Sequence, residues 1–418
     1  MFCTRCGREF NDGELFCPQC GTQRRSEQVT FPSFSCERDA ITHYFRRGFR
    51  YETVTLFLSE YHGISMCVRT LKRRLQEYGL RKRDDSISEN TVRQIIQNEI
   101  QGPSSLLGYR GMWKWNKLRT SYNLTVPRDT IMRILRELDP GASAHRKARK
   151  LHRRSYVSPG PNAAWHVDGY DKLKPYGLPI HGCNDGFSRR IIWLKVCRSN
   201  NPVIPASLFL HSVEEFEICP MLVQTDCGTE NGILAGIQCT LAGGERAHRY
   251  SSSHANQRIE NWWSHCRRGF TAWVMDHFKA LIHEGKLALG NHLHMECVWF
   301  VYSDFLQSEL DKVKQEWNTH YIRHSRHNSI SGVPDELFFL PESSGFTNCG
   351  ISVSTDDIYS ILNQRDIYTQ AELAMDVSDT ELLEYFRYVV RKDNIEHPPR
   401  DWSRAKLMYE KIIECSGS

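Results

Sequence analysis

The apolar positions of the chain change period near residue 161. Before that point they recur at helical spacing. In "CERDAITHYFRRGFRYETVTLFLSEYHGISMCVRTLKRRLQEYGLRKR" three helical segments fit, near 36–47, 51–61 and 66–78, broken at Gly48 and Gly63. Val68, Leu71, Leu75 and Tyr78 keep the helical step and should face a core, with Ser65 a candidate cap. "SENTVRQIIQNEI" reads as a further helix and "SSLLGYRGMWKWNKLRTSYN" holds another. "TVPRDTIMRILRELDP" enters through a Thr/Pro start and stops at Pro140, with Ile131, Ile134 and Leu138 on one side. Two consecutive helical units are predicted, over 35–83 and 86–140.

Beyond Pro161 the apolar runs become short and β-branched, bounded by Gly, Asp and Asn: "AAWHVDGY", "PIHGCNDGF", "RRIIWLKVC" and "PMLVQTDCG". The first three are closely spaced, as in an antiparallel meander. Between the third and fourth, "IPASLFLHSVEEF" reads as a helix. "NGILAGIQCTL" predicts the next helix, "ERAHRYSS" a fifth strand, and 253–275 a long helix. The order β-β-β-α-β, continued by α/β alternation, predicts a mixed five-stranded sheet with helices on its faces. "HMECVWFVYSDFLQSELDKVKQEWNTHY" is a long amphipathic helix, with Val298, Val301, Phe305, Val313 and Trp317 near one face. Residues 161–340 form this core with its helical extension. Residues 350–418 add the helices of "DTELLEYFRYVVRKD" and "WSRAKLMYEKIIE", a tail without a chemical motif, for which a dimer contact or a partner surface is a candidate role.

Composition narrows the class. A chain of 418 residues exceeds one ordinary core and predicts several domains. With 40% hydrophobic and 25% charged residues it reads as soluble and globular. No apolar run approaches the roughly 20 residues that span a bilayer, so no membrane partner is expected. The start "MFCTRCGREF" has no secretory apolar core. Fifteen cysteines then point to a reducing compartment, with thiols and metal sites rather than a disulfide framework. The charge is uneven: residues 1–160 carry 29 Lys+Arg against 16 Asp+Glu (net +13), which leaves 25 against 33 (net −8) for the remainder. The basic front half should attract a polyanion, although solvated charged faces produce part of any such excess. Residues 22–34 read as a polar linker, and 141–160 as a basic linker ending in Pro and Gly.

Two knuckles, Cys3-Thr-Arg-Cys6 and Cys17-Pro-Gln-Cys20, make a tetrahedral thiolate cage suited to zinc. A piece of 1–25 cannot bury a core, so the metal would hold it together as a zinc ribbon. The outer face of the 66–78 helix carries Arg69, Lys72, Arg73 and Arg74. This looks like a helix-turn-helix unit with a basic recognition helix suited to a major groove. The plain alternative is a three-helix bundle with a solvated basic face.

Three acids have a patterned placement. Asp168 sits within the first strand, Asp226 closes the fourth, and Glu260 lies on the helix after the fifth, at spacings of 58 and 34 residues. In the predicted sheet the first and fourth strands are neighbours, so both aspartates can converge at one edge. On the helix, Ile259, Trp263, Cys266, Phe270 and Trp273 form an apolar stripe, with Asn256, Glu260, Ser264 and Arg267 beside it. Three carboxylates at one spot repel unless cations hold them, and magnesium, or manganese, suits such oxygen ligands beside a phosphate. Two such ions about 4 Å apart support phosphoryl transfer.

These features resemble the catalytic core of DDE-type integrases and transposases, which have an RNase H-like fold. "WHVDGY" looks like the first-aspartate motif, "QTDCGTEN" like the second, and "SSSHANQRIENWW" like the helix bearing the third acid. "WNTHYIRHSRHNSISGVPDELFF" is similar to the segment that follows such cores, with Asn318, Arg323, Gly332 and Pro334 in register. The tandem helical front, including "GYRGMWKW", looks like the DNA-binding front of insertion-sequence transposases. The likeness covers roughly 36–340. It departs at Cys227, where the family often has Asn, and at "SSSHAN", which replaces a more usual turn. All three acids remain.

The resemblance implies Asp168, Asp226 and Glu260 as metal ligands, DNA as partner, and a water or 3′-hydroxyl as nucleophile for end cleavage and strand transfer. Joining two ends implies a homo-oligomer. The compartment would be the nucleus in a eukaryote, otherwise the cytoplasm or nucleoid. Asn256 is a candidate to contact DNA or to steady Glu260, with a helix-start cap as the alternative, and Arg267 is a candidate phosphate contact, with plain surface coverage as the alternative. Asp185 reads as a turn residue and Glu230 as a helix-start group. Trp262 and Trp263 read as core, and His254, His265 and Cys266 form no ligand set. The competing reading is a host-adopted DNA-binding or scaffold protein that kept the fold without catalysis. A nuclease that cuts without joining is a third.

Overall fold

The computed structural model describes residues 32, 34–81, 88–102, 112, 118, 122, 124, 126–138, 156–251, 256–324, 330–376 and 379–416. Cys3, Cys6, Cys17 and Cys20, most of the helix predicted between 104 and 123, and the basic linker up to residue 155 lie outside the described residues.

The first helical unit comprises α1 (Glu37–Arg46), α2 (Tyr51–His62) and α3 (Val68–Glu77). Gly63, at φ 64°, ends α2 in the left-handed conformation that a residue without Cβ adopts freely. The residue entering α3 is Cys67 rather than the expected Ser65, and its side chain makes no capping bond. Ile41, Tyr44, Phe57, Leu58, Leu71 and Leu75 are buried together. The unit is not a free-standing bead, because the same cluster includes Val333 and Leu340 from the far end of the core segment. Tyr61 donates to the Phe339 carbonyl at 2.6 Å, and Thr53 to Glu336 at 3.1 Å.

In the second unit, α4 (Glu89–Gln101) is capped by Ser88, which accepts from Thr91 N at 3.1 Å, and α5 is Arg128–Leu138. Val92, Ile96, Ile131 and Ile134 close its core, and Arg133 pairs with Glu89 at 2.6 Å.

The sheet comprises β1 (Trp165–Tyr170), β2 (Ile180–Asp185), β3 (Ile191–Val196), β5 (Val223–Thr225) and β6 (His248–Tyr250), in the order β3-β2-β1-β5-β6. The meander β1–β2–β3 is antiparallel, while β1–β5 and β5–β6 are parallel. The parallel pairs follow from the crossover helices α6 (Val203–Phe216) and α7 (Gly232–Leu241), which carry the chain back before each new strand. A two-residue strand β4 (Ile218–Cys219) pairs outside this sheet.

Alternation along the strands divides the two faces. Trp165, Val167, Cys183 and Trp193 pack with Ala206, Phe209, Leu210 and Val213 of α6. The opposite face buries Tyr170, Ile180, Leu194 and Val196 under α8 (Gln257–Cys266), α9 (Ala272–His283) and α10 (His292–Thr319). Each large side chain so buried contributes about 1.5–3 kcal/mol. The helix predicted over 253–275 is therefore observed as α8 and α9, joined through a π-helical turn at Arg267–Thr271 and running on to His283.

The outer edge of β3 is closed by side chains from α10. Asn318 accepts from Ile191 N at 2.8 Å and donates to Ile191 O at 3.0 Å, as a neighbouring strand would. Lys314 donates to Ile192 O at 2.6 Å, and Gln307 bridges Val196 N and Leu194 O at 2.9 and 3.0 Å. An edge covered this way offers no template for a further strand.

The segment after residue 340 is not a separate tail. It follows α11 (Pro334–Phe339), and β7 (Ile351–Ser352) pairs with β4. Next, α12 (Thr355–Arg365) and α13 (Ile367–Met375) bury Ile358, Ile361 and Ile367 on the α6 side. Finally, α14 (Thr380–Lys392) and α15 (Trp402–Cys415) bury Phe386, Val389, Met408, Tyr409 and Ile412 against α10. Among the described residues no helix is long and apolar enough to cross a membrane.

Candidate active site

Register brings the two aspartates level. Trp165 pairs with Val223 and His166 with Gln224 in the parallel β1–β5 ladder, so two residues further Asp168 stands beside Asp226. The strand itself stops at Thr225, which leaves Asp226 as the first residue beyond it.

Asp168 is only 9% exposed and points to the face covered by α8. Its Oδ2 accepts from the Trp263 indole N–H at 2.9 Å. Gly182 faces Asp168 across the β1–β2 ladder, and a Cβ there would lie 2.8 Å from Trp263 Cη2. Only glycine lets the indole come this close to the strand. Glu260, half-buried in the first turn of α8, approaches from the same side. Burial pushes the Asp168 carboxyl up to about 7, and the charges of Glu260 and then Asp226 add to the rise. The Trp263 bond pulls the other way.

Asp226 is held at its own end of the sheet. Its Oδ1 accepts from Asn231 Nδ2 at 2.8 Å and from Gly228 N at 3.2 Å. Among the described residues no three His, Cys, Asp or Glu side chains stand close enough together to hold a metal ion as they are placed. Glu260 and Asp226 are near enough to raise the Asp168 pKa, yet the three acids do not stand at ligand spacing. Asn231 and Trp263 each hold one of the two aspartates by a hydrogen bond.

The start of α8 is pinned to β1 by a buried polar chain. Asn256 accepts at Oδ1 from His166 Nδ1 (2.7 Å) and donates through Nδ2 to Val167 O (2.9 Å). His166 Nε2 meets Tyr156 OH at 2.8 Å. Burial pulls the His166 pKa down to about 4, so the ring is neutral. The guanidinium of Arg258 lies 4.1 Å over the Tyr156 ring. Asn256, expected as a DNA contact or helix cap, is 1% exposed and makes no capping bond. Both of its polar groups are engaged inside the protein, and its carbonyl accepts from Glu260 N at 3.3 Å.

The other expected contacts divide. Arg69, Lys72 and Arg73 are exposed on α3. Arg74 is drawn inward to Glu37 at 3.1 Å and Glu77 at 3.0 Å, which makes it a brace between α1 and α3. Arg267 is exposed in the π-helical turn, two turns past Glu260. Asp185, expected in the turn, is the last residue of β2 and holds the turn that follows: it accepts from Ser188 N and Oγ, each at 2.7 Å, and from Asn162 N at 2.8 Å. Trp262 and Cys266 are core. Sequence reasoning missed the polar end of Trp263. The available signal was its position three residues after Glu260, which places an indole on the side of α8 that meets β1.

Residues 155–340 match the family model described as "Integrase core domain". This stretch is similar to integrase cores, and its mixed five-stranded sheet with flanking helices fits an RNase H-like core. The match points to polynucleotidyl-transferase chemistry. No curated protein matches the chain.

Proposed function

We propose that the chain is a DNA-binding polynucleotidyl transferase of DDE type. Asp168, Asp226 and Glu260 would hold divalent cations, and the reaction would cleave DNA ends and join the 3′-hydroxyl to target DNA. The observation that carries this reading is the register of β1 and β5, which brings Asp168 beside Asp226 under the helix that bears Glu260; burial, and then the charges of Glu260 and Asp226, raise the Asp168 carboxyl to about 7. Three acids whose fields overlap in a buried place form a site short of positive charge, and hard divalent cations answer that need. Magnesium or manganese bound there would polarise a phosphoryl oxygen and activate a water or hydroxyl.

The chain's own residues do the positioning. Trp263 orients the Asp168 carboxylate, and its N–H favours the charged form. Asn231 and Gly228 occupy Oδ1 of Asp226. The Asn256–His166 bond keeps Glu260 against β1. The exposed cations of α3 would grip phosphates, with Arg267 a further contact near the acids. The four N-terminal cysteines remain a proposed zinc site, and assembly into a multimer follows from the need to act on two ends.

The test is Glu260→Gln in a magnesium-dependent cleavage and joining assay with end-containing duplex. Loss of joined product with DNA affinity retained supports the reading; unchanged joining rejects it. Cleavage without any joined product in the unmodified protein would make it a nuclease, and binding without cleavage would make it a scaffold.

A further inference from the structure

We propose that the outward face of α14 is a self-pairing surface, on which two copies of this chain meet about a twofold axis with their α14 helices antiparallel. The function proposed above calls for a multimer. The surface assigned here does not rest on that function, because it follows from a groove and its charges alone.

A groove of about 1270 Å³ lies between α10 and α14. Trp299 and Phe300 of α10, Met375 at the end of α13, and Leu383 and Tyr388 of α14 give it apolar walls. Trp299 and Phe300 are nearly covered, whereas Tyr388 is 57% exposed. A large ring held in water beside an apolar groove is characteristic of surfaces that receive a partner.

The charges on this face are ordered. Glu381, Glu384, Tyr388 and Arg391 recur at steps of three or four along α14, so they form one line, with Arg387 beside it. All five border the groove and all are exposed. The line is acidic in its first half and basic in its second. The helix macrodipole accounts for Glu381 and Arg391, which sit in the end turns, but it reaches neither Glu384 nor Arg387. Among the described residues none of these four charges has an ion-pair partner, and Arg391 donates only to the Arg387 carbonyl of its own helix, at 3.2 Å. Charges of the adjoining α15 are matched within the chain: Arg404 with Glu396, Lys406 with Glu284 and Lys411 with Asp393. The unmatched line is therefore particular to α14.

Its polarity selects the occupant. A helix laid along this face must run from basic to acidic where α14 runs from acidic to basic, and must carry an apolar group near its middle. A second α14, turned antiparallel, meets both conditions. Each acidic half then faces a basic half, and the twofold axis repeats the pairing. Each Tyr388 comes near the crossing point, beside the partner's groove. Parallel copies would set like charges together, and Glu381 and Glu384 would repel a nucleic-acid backbone.

The test is sedimentation velocity on the full chain, at low salt and without DNA. The unmodified chain should dimerise. Glu384→Arg and Arg391→Glu each set like charges opposite one another and should weaken dimerisation by about tenfold or more. Mixed one to one, the two variants should recover a dimer, because each reversal then faces the other. Tyr388→Ala should weaken the dimer by a similar factor with the charges intact. An unmodified chain that stays monomeric overturns the proposal. So does a dimer indifferent to both reversals, or a mixture of the two variants that stays monomeric. Since no DNA is present, any of these failures leaves the reading of the three acids to the joining assay.

Discussion

Trp263 and Asp168 are joined by a 2.9 Å bond from the indole N–H to Oδ2, across the junction of α8 and β1. The bond couples the helix that carries one acid to the strand that carries another. It also opposes the burial and the neighbouring carboxylates that raise the Asp168 pKa. Trp263 therefore tunes a charge as well as filling the core, where it is 4% exposed.

Replacing Trp263 with Phe keeps most of the ring and removes the donor. The Asp168 carboxyl should then titrate still higher. If the chain cleaves DNA with magnesium as proposed, the acidic limb of the pH–rate profile should move to higher pH by about one unit. General loosening of the fold would lower the whole profile without moving that limb. A limb that stays in place would show that the bond does not tune Asp168.

Asp168→Asn should stabilise the metal-free protein, in a pH-dependent way. The ordinary carboxyl value is 3.8 and the folded value is about 7, so the folded state binds the proton more tightly. Below about pH 4 both states are protonated and the acid costs nothing. As pH rises through 4 to 7 the folded state is progressively penalised, and the penalty is complete above 7. The gain from Asn over Asp should therefore be small at pH 4 and about 1–3 kcal/mol at pH 8, read from urea unfolding. Equal gains at both pH values would contradict the assigned shift.

Buried histidines act in the opposite sense. His166, His181 and His277 are each pulled down to about 4 by burial, against an ordinary value of 6.5. The unfolded chain binds their protons first, so stability should fall as pH drops from about 6.5 toward 4. For His277, which meets Tyr302 OH at 3.0 Å, substitution by Gln should remove about 1–3 kcal/mol of that pH-dependent loss. If the variant loses as much stability between pH 7 and 5 as the parent, the neutral buried state is wrong.

The strand order and the positions of the acids were legible because they follow from local pattern. Short β-branched runs, one intervening helix and Gly/Asp turns are enough to predict that β1 and β5 are neighbours. Three features were not legible, each for a physical reason. For Asn256 the sequence left a DNA contact, a steadying role for Glu260 and a helix cap open together, because Asn favours helix starts and exposed sites alike. Its burial depends on His166, which lies 90 positions away. Arg74 shared a basic stripe with its neighbours, and only the packing of α1 brings Glu37 to it. Residues 350–416 carry no motif, yet they share two hydrophobic clusters with the core, because non-local burial leaves no periodic mark beyond amphipathic helices.

The α3 cations should separate by experiment. Arg69, Lys72 and Arg73 are exposed, Arg73 with only an exposed 3.6 Å pairing to Glu77, whereas Arg74 is tied to both Glu37 and Glu77. If α3 grips DNA, replacing any of the first three with Gln should weaken binding and flatten the dependence of log affinity on log salt by about 0.9 per lost phosphate contact. Arg74→Gln should leave that slope nearly intact and lower the melting temperature instead. An unchanged slope in all four variants would move the DNA grip away from this helix.

Asn318 offers the sharpest test of how the sheet edge is closed. Its carboxamide makes two bonds to Ile191, at 2.8 and 3.0 Å, and the residue is 4% exposed. Asn318→Ala leaves a buried backbone N–H and C=O unpaired, which should cost about 2–4 kcal/mol. Asn318→Leu, which restores volume but neither bond, should cost nearly as much. Hydrogen exchange should report the change locally, through faster exchange of the Ile191 amide relative to β1 and β2 amides. The consequence extends past stability, because an uncovered β3 becomes a free edge able to pair with another chain. The Asn318→Ala protein should therefore self-associate on mild heating, while Glu260→Gln, which leaves the edge covered, should not. Unaltered Ile191 exchange would show that β3 does not rely on α10 for its outer bonds.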